Sequence, residues 1–327
     1  MKTLVLSMIS IAATIAAMTA CTSESDPIND ITNPKDAKVE IKLNAGVVNV
    51  ETKTAINQQE GISQFINQEI PLFRMNATTD PNWADVEASV NATINGTTVT
   101  LNDAQKYYDG SNNAYFIGYF SDIVNPTKNA NVISFTSVDG TKDIICTDQI
   151  NAGSNFSPET DAKLIFKHML AKIAIKVKGS TSSQNAFGKI TQIELLNIPT
   201  ALDLTLNKTA TISANNPSPT NQTIILYEDN IGKEISTATD GEAIGAIPMI
   251  YNGGTPGYGS SASKPLTIKV YTEKNVDGIE IPIESITGGL LNGTKHTITL
   301  TFKDKISISS EITGWDDNGN SGAGDVG

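Results

Sequence analysis

Apolar and polar residues alternate with a period of two through most of the chain. Val39, Ile41 and Leu43 share one face of a segment near the start, and residues 266–273 and 296–303 alternate in the same way. Successive side chains of a β-strand point to opposite faces of a sheet, so this period predicts strands with one buried face and one exposed face.

Segments of this kind, separated by Gly-, Asn- and Pro-rich turns, predict about fifteen strands. That number divides into two antiparallel β-sandwiches of about seven strands each, so we predict an all-β chain with two sandwich domains in tandem. The polar stretch at residues 151–163 favours domains at 38–160 and 161–327. Residues 164–180 either close the first domain or open the second.

Helical patterns are scarce. Residues 56–69 and 157–170 each fit an amphipathic helix, and the second begins with Ser157 as a candidate cap and Pro158 in the first turn. We therefore expect two short helices at most.

The first twenty residues have the pattern of a secretory signal. Lys2 is followed by an apolar run over residues 4–17, which is shorter than the roughly 20 residues that span a membrane. The run ends at "MTAC", which resembles a lipobox, so we expect residues 1–20 to be a lipoprotein signal peptide and Cys21 to be lipidated. Secretion without a lipid is the alternative.

Residues 21–37 predict a flexible acidic tether, because they are rich in Ser, Asp, Asn and Pro. Glu24 and Asp26 resemble the acidic export signal that follows the lipidated cysteine of surface lipoproteins in the Bacteroidota. If Cys21 is lipidated, Cys146 has no cysteine partner, and its position after two Ile residues indicates a buried thiol.

The charge is strongly acidic. The chain has 23 basic and 35 acidic residues and a net charge of -12, which disfavours nucleic acid and anionic lipid surfaces as partners. Arg74 is its single arginine, and every other basic residue is a lysine.

Residues suited to catalysis or metal binding are few. His168 and His296 have no neighbouring cluster of ligands, so we interpret both as structural. The tail from Asp316 resembles a calcium loop, but Ser321 stands where that loop needs Gly and its bidentate Glu is missing. The motifs of hydrolases, phosphate loops and zinc proteases are also missing. We therefore predict no enzyme activity, cofactor or metal.

Several segments in order resemble the fimbrillin superfamily of the Bacteroidota. They are the lipobox at Cys21, "IKLNAGVVNVETKTA", "YFIGYF", "ISFTSVDGTKDIICTD", "LIFKHMLAKIAIKV", "ITQIELLNIPTALDL", "GTKHTITLTF" and "ISSEITGW". The resemblance implies two transthyretin-like β-sandwich domains in a surface lipoprotein.

In polymerising members of this superfamily, an arginine-specific protease removes the first strand with its lipid, and a strand from the next subunit fills the groove. The resemblance therefore implies that residues 39–50 are the removable first strand. Lys53 stands where the family usually has the arginine of the cleavage site. Arg74 is the alternative cleavage site, and a structural arginine is its other interpretation.

The donor strand would lie mainly within residues 305–315. Ile306, Ile308 and Ile312 supply its apolar side chains, whereas the sequence after residue 315 is almost entirely polar or small. The alternative is that this segment completes its own C-terminal domain.

Two functions remain open. The first is a structural subunit of a surface fimbria, with adhesion as an additional role, which assembles with other fimbrial subunits. The second is an uncleaved lipoprotein, held in the outer membrane by Cys21, that acts as an anchor, a tip or a binding module for a host or bacterial receptor. In the second case Tyr251 and Tyr258 are candidates to stack on a sugar, in a loop at residues 251–263. A plain flexible loop is the alternative.

Overall fold

The computed structural model describes residues 40–47, 69–86, 89–95, 98–108, 110–215, 221–303 and 308–313. More than half of these residues lie in β-strands, and the other regular elements among them are one short α-helix and a 3₁₀ turn at Trp83–Asp85. The predicted all-β class is thus confirmed.

The strands are numbered in chain order. They are β1 (Leu43–Val47), β2 (Glu69–Ala77), β3 (Ser89–Asn95), β4 (Thr98–Leu101), β5 (Asn113–Ser121), β6 (Thr127–Asn129), β7 (Val132–Phe135), β8 (Ile144–Thr147), β9 (Ile150–Asn151), β10 (Lys163–His168), β11 (Ala171–Lys178), β12 (Ile190–Pro199), β13 (Leu202–Thr205), β14 (Thr211–Ala214), β15 (Asn221–Lys233), β16 (Glu242–Ile244), β17 (Met249–Ile250), β18 (Leu266–Thr272), β19 (Asn275–Ile283), β20 (Lys295–Phe302) and β21 (Ile308–Thr313).

The first sheet closes on itself. Its strands follow the order β2-β3-β4-β1-β10-β8-β5-β9, and β2 also pairs with β5, so seven strands form a closed circuit with β9 attached to β5. We call this circuit the barrel. A closed sheet has no unpaired edge, which removes the exposed N–H and C=O groups that an open sheet carries.

Alternate residues of the barrel strands fill its interior. Ile70 and Leu72 of β2, Phe116 of β5, and Leu164 and Phe166 of β10 are fully buried there. Gly118 of β5 has no side chain because a Cβ atom would lie 2.6 Å from Leu72 and 3.3 Å from the Phe166 ring. The barrel is therefore a packed core rather than a channel.

Two sheets pack face to face in the C-terminal half. One has the order β16-β11-β20-β21, with β17 also paired to β11, and the other has the order β15-β12-β18-β19. Both contribute to a single apolar cluster that includes Ile173, Ile193, Ile268 and Leu300. This pair of sheets is a β-sandwich of the kind that the alternating pattern predicts.

A fourth sheet combines strands from distant parts of the sequence. Its order is β14-β13-β7-β6, so residues 202–205 pair with residues 132–135. Strand β10 likewise pairs with β8 of the barrel, and the next strand, β11, belongs to the sandwich. Strand pairs thus join residues before position 160 to residues after it. The division into domains at that position stays a prediction.

Two strand pairs are parallel, which differs from the antiparallel prediction. Strand β1 runs parallel to β10, and β11 runs parallel to β20. Parallel neighbours need a long connection, and more than a hundred residues separate the two members of each pair. A local alternating pattern does not record the direction of a distant partner, so it does not predict this arrangement.

One predicted helix is wrong. Residues 157–170 include β10, whose amides pair with β1 and β8, and barrel closure outweighs the local helical pattern. The other, at residues 56–69, lies almost entirely outside the described residues. The helix that does form, α1 (Thr181–Phe187), was not predicted. Ser180 caps it by accepting from the Ser183 N–H, and Gly188 ends it at φ 74°.

Truncation of the barrel core has a predictable cost. We expect Phe166→Ala to lower the free energy of unfolding by about 3 to 5 kcal/mol, because it leaves a cavity in a packed interior. Lys163→Ala on the same strand should change it by less than about 0.5 kcal/mol, since its ion pair with Asp161 is exposed. Urea unfolding of both variants measures the difference, and equal effects would contradict the packed barrel.

Candidate assembly site

Strand β1 lies inside the barrel circuit, between two neighbours. It pairs antiparallel with β4, where Leu43 faces Val99, and parallel with β10, where Ala45 faces Leu164. The side chains of Ile41, Leu43 and Ala45 are 3%, 3% and 5% exposed and belong to the barrel core. The predicted first strand therefore forms over its described part, whereas Val39 and residues 48–50 lie outside the described residues.

The chain ahead of β1 and the strand itself have different backbone partners. Ahead of the strand, the Ile41 N–H donates to the Gln105 carbonyl at 2.8 Å, and Glu40 forms a β-bridge with Lys106. Within the strand, the Asn44 N–H donates to the Ala162 carbonyl at 2.9 Å. The segment at residues 105–108, which connects β4 to β5, thus contacts the chain where it enters the barrel.

Arg74 occupies the same end of the barrel. It follows Ile70 and Leu72 on the inward face of β2, and its guanidinium lies 4.7 Å from the Tyr108 ring centre and 5.9 Å from that of Phe116. It donates to Gln105 Oε1 at 2.8 Å, to the Lys106 carbonyl at 2.9 Å and to Asn76 Oδ1 at 3.0 Å. Partial burial lowers the pKa of Arg74 from its usual value.

This geometry favours the structural interpretation of Arg74 over the role of a cleavage site. Arg74 and Met75 pair with Phe116 and Tyr115 of β5, so the peptide bond between them lies within a sheet. A protease binds its substrate as a free extended segment, which requires β2 to leave the barrel first. Lys53 and Cys21 lie outside the described residues.

The last described strand is β21, at the end of its sheet. It pairs antiparallel with β20, where Ile308 faces Phe302 and Ile312 faces Ile298. Among the described strands, β20 is its only partner in the sheet. Ile306 lies outside the described residues. Two of the predicted donor residues therefore lie in a strand that completes the C-terminal sheet in this conformation.

The tyrosines of the candidate sugar-binding loop pack inward. Tyr251 is 8% exposed, and its ring meets that of Tyr258 edge to face at 6.4 Å. Burial raises the pKa of both phenols. Lys264 Nζ lies 5.8 Å from the Tyr258 ring centre and donates to the Gly253 and Pro256 carbonyls of the same loop. A buried ring offers no open face to a sugar, so the structure argues against this role for Tyr251.

The remaining titratable candidates have structural surroundings. His168 Nδ1 is hydrogen-bonded to Asp143 Oδ2, and His296 Nε2 accepts from the Leu291 N–H at 3.1 Å. Cys146 is fully buried, and burial raises the pKa of its thiol well above the ordinary value.

In the part of the chain that the structure describes, no three His, Cys, Asp or Glu side chains form a group that could hold a metal ion. No helix within that part is long and apolar enough to cross a membrane.

Solved structures that are similar to this chain are described as cell-adhesion and fimbrial proteins. A candidate cell adhesion protein from Bacteroides uniformis ATCC 8492 has a TM-score of 0.51 and 15% identity, and the match covers 85% of this chain and 99% of that one. Another, from Parabacteroides distasonis ATCC 8503, has a TM-score of 0.52 and 9% identity over 84% of this chain and 98% of that one. The tip fimbrial protein Mfa3 from Porphyromonas gingivalis matches with a TM-score of 0.41 and 11% identity, over 85% of this chain and 100% of that one.

No curated protein matches the sequence. The fold is all-β, and its first and last described strands lie in different sheets. The chain belongs to the fimbrillin-like family, because the profile of that family matches residues 52–315. Membership indicates a fimbrial protein rather than an enzyme.

The sequence did not predict the role of residues 105–108. They precede a turn and carry no alternating pattern, so nothing local marks them as a contact of β1. The one usable signal was Arg74, a single arginine in a chain with 22 lysines. A planar guanidinium donates several hydrogen bonds in a fixed geometry, which a lysine ammonium does not do.

His296 predicts a pH dependence of stability. Burial lowers its pKa from 6.5 to about 4, so as pH falls through this window the unfolded chain binds the proton first. Stability is thus complete above about pH 6.5 and decreases toward pH 4. Between pH 7 and 4.5 we expect the protein to lose about 2 to 3 kcal/mol more than His296→Gln. Urea titrations of both proteins at both pH values test this prediction. Equal losses of unfolding free energy in the parent protein and in His296→Gln would show that His296 does not contribute.

Proposed function

We propose that the protein is a structural subunit of a surface fimbria, assembled by exchange of a β-strand between subunits. The observation that carries the proposal is the position of β1, a single strand placed between β4 and β10, with Leu43 and Ala45 buried in it and Ile41 buried just ahead of it. It lies at the N-terminal end of the described chain, so one cut after it separates it from the other barrel strands.

Loss of β1 would open the barrel along one line. The facing edges of β4 and β10 would then carry unpaired N–H and C=O groups, and the sites of Ile41, Leu43 and Ala45 would become an apolar groove. An extended segment from a second copy restores both the hydrogen bonds and the apolar contacts. A head-to-tail contact of this kind does not close on itself and produces a filament.

The C-terminal segment has the side-chain sizes that such a groove requires. Ile306, Ile308 and Ser310 repeat the order large, large, small that Ile41, Leu43 and Ala45 have at alternate positions. Ile312 continues the apolar face of the segment. In the described conformation the segment pairs with β20 at the end of its sheet, and a strand with one partner is the easier kind to transfer.

A lipid on Cys21 would hold the precursor in the outer membrane, with the barrel at the cell surface. Residues 21–37 then form the tether, which at full extension reaches about 55 to 60 Å. Acyl chains contribute about 0.8 kcal/mol for each buried CH₂ group, so more than one chain anchors the protein firmly.

Lys53 supports a second candidate function. It replaces the arginine of the family's usual cleavage site, so an arginine-specific protease would leave β1 in place. The uncut protein would then act as a membrane-bound anchor, a tip subunit or a monomeric adhesin.

Controlled cleavage tests the assembly proposal. In the variant Lys53→Arg we expect an arginine-specific protease to release β1 and to yield ladders of subunits that resist mild detergent. The parent protein, treated in the same way, is the matched control and should remain monomeric. If the cut variant, freed from its β1 fragment, stays monomeric at high concentration in size-exclusion chromatography, strand exchange at this groove is wrong.

The N-terminus of protein sheared from cells distinguishes the two functions. A mature start near residue 54 supports the cleaved subunit, and an acylated Cys21 on the whole chain supports the anchor. We expect Cys21→Ser to release the uncut precursor from membranes, measured by fractionation and intact mass. Unchanged membrane retention of that variant would contradict the lipid anchor.

A further inference from the structure

One end of the barrel is covered by residues 105–108, which we call the strap. The strap follows β4 and leads toward β5, so it crosses the barrel end at which β1 enters. Its two backbone contacts with the chain ahead of β1 are the Ile41 N–H bond to the Gln105 carbonyl, at 2.8 Å, and the bridge between Glu40 and Lys106. The strap thus extends the pairing of β1 beyond the sheet.

Arg74 fixes the strap to the barrel wall from inside. Its guanidinium donates to the side chain of Gln105 at 2.8 Å and to the backbone carbonyl of Lys106 at 2.9 Å. Asn76 Oδ1, two residues along β2, accepts from Nε at 3.3 Å and from Nη2, the nitrogen that also donates to Lys106, at 3.0 Å. The Tyr108 ring covers the guanidinium, with its centre at 4.7 Å.

The same two strap residues therefore contact Arg74 and the beginning of β1. Gln105 accepts from Arg74 with its side chain and from Ile41 with its carbonyl. Lys106 accepts from Arg74 with its carbonyl and bridges to Glu40. Motion of the strap would remove the contacts of Glu40 and Ile41 together, just ahead of β1.

We propose that Arg74 and the strap form a latch that retains β1 in the barrel until assembly, a role that rests on the proposed exchange of β1. Arg74 is a positioning residue in this role, because it acts on β1 through Gln105 and Lys106. A planar guanidinium can bond to two strap acceptors and to Asn76 at once, whereas an ammonium on a flexible stem is a single point of charge. This requirement explains the one arginine in a chain that otherwise uses lysine.

A latch predicts a local effect, and a general structural role predicts a global one. Hydrogen exchange measured by mass spectrometry on the full chain separates them, because it reports β1 and β20 independently. We expect Arg74→Gln to speed exchange in residues 40–47 about tenfold, since it removes hydrogen bonds to a charged group, and to leave β20 unchanged. Arg74→Lys should act in the same direction, because it keeps the charge and loses the fork.

Two further variants keep the test decisive. Lys264→Met is the matched control, because Lys264 also bonds to two carbonyls of a loop, Gly253 and Pro256, but lies far along the chain from β1. It should leave exchange in residues 40–47 at the parental rate. Gln105→Ala removes one partner of Arg74 while the Gln105 carbonyl remains. If Arg74→Gln unfolds the protein, Gln105→Ala should still speed exchange in residues 40–47 selectively.

Unchanged exchange in residues 40–47 for Arg74→Gln would overturn the latch, as would equal acceleration in β1 and β20 for both Arg74→Lys and Gln105→Ala. These results are separable from a failure of the proposed function. The exchange experiment reports retention of β1 in the uncut chain, whereas the cleavage experiment reports polymerisation after β1 is lost.

Discussion

The barrel depends on the pairing of β1 with its two neighbours. Every other pairing in the circuit joins two strands within residues 69–168, but the gap between β4 and β10 is closed only by residues 43–47. The same strand places Leu43 and Ala45 in the core, and Ile41 just ahead of it is also buried there. Hydrogen bonding and apolar burial therefore depend on one short segment, and both are affected if it leaves.

The rest of the described chain has apolar cores of its own. The sandwich has its own apolar cluster, and β11 lies parallel to β20 there as β1 lies parallel to β10 in the barrel. The sheet that joins β7 to β13 covers a third cluster, which includes Phe135, Cys146 and Leu204. The sandwich core is therefore separate from the barrel core that contains Leu43 and Ala45.

A fimbrial subunit needs two opposite properties in one molecule. The precursor must hide its groove and its strand edges during export, because exposed edges promote aggregation, and the mature subunit must offer them to a partner. In the described fold the groove is filled by β1, and the end at which β1 enters is covered by residues 105–108.

The sequence by itself determined the all-β class, most of the strands, the buried thiol of Cys146 and the structural surroundings of His168 and His296, because alternation and local chemistry are recorded residue by residue. Only the tertiary structure decided that residues 163–168 form a strand, since their apolar pattern suits both a helix and a strand until β1 and β8 pair with them. The parallel direction of β1 and β10, the closure of β2 on β5 and the contacts of Arg74 with Gln105 and Lys106 were likewise undetermined by the sequence. Each depends on partners that are distant along the chain, and such pairings leave no periodic signal in the segments they join.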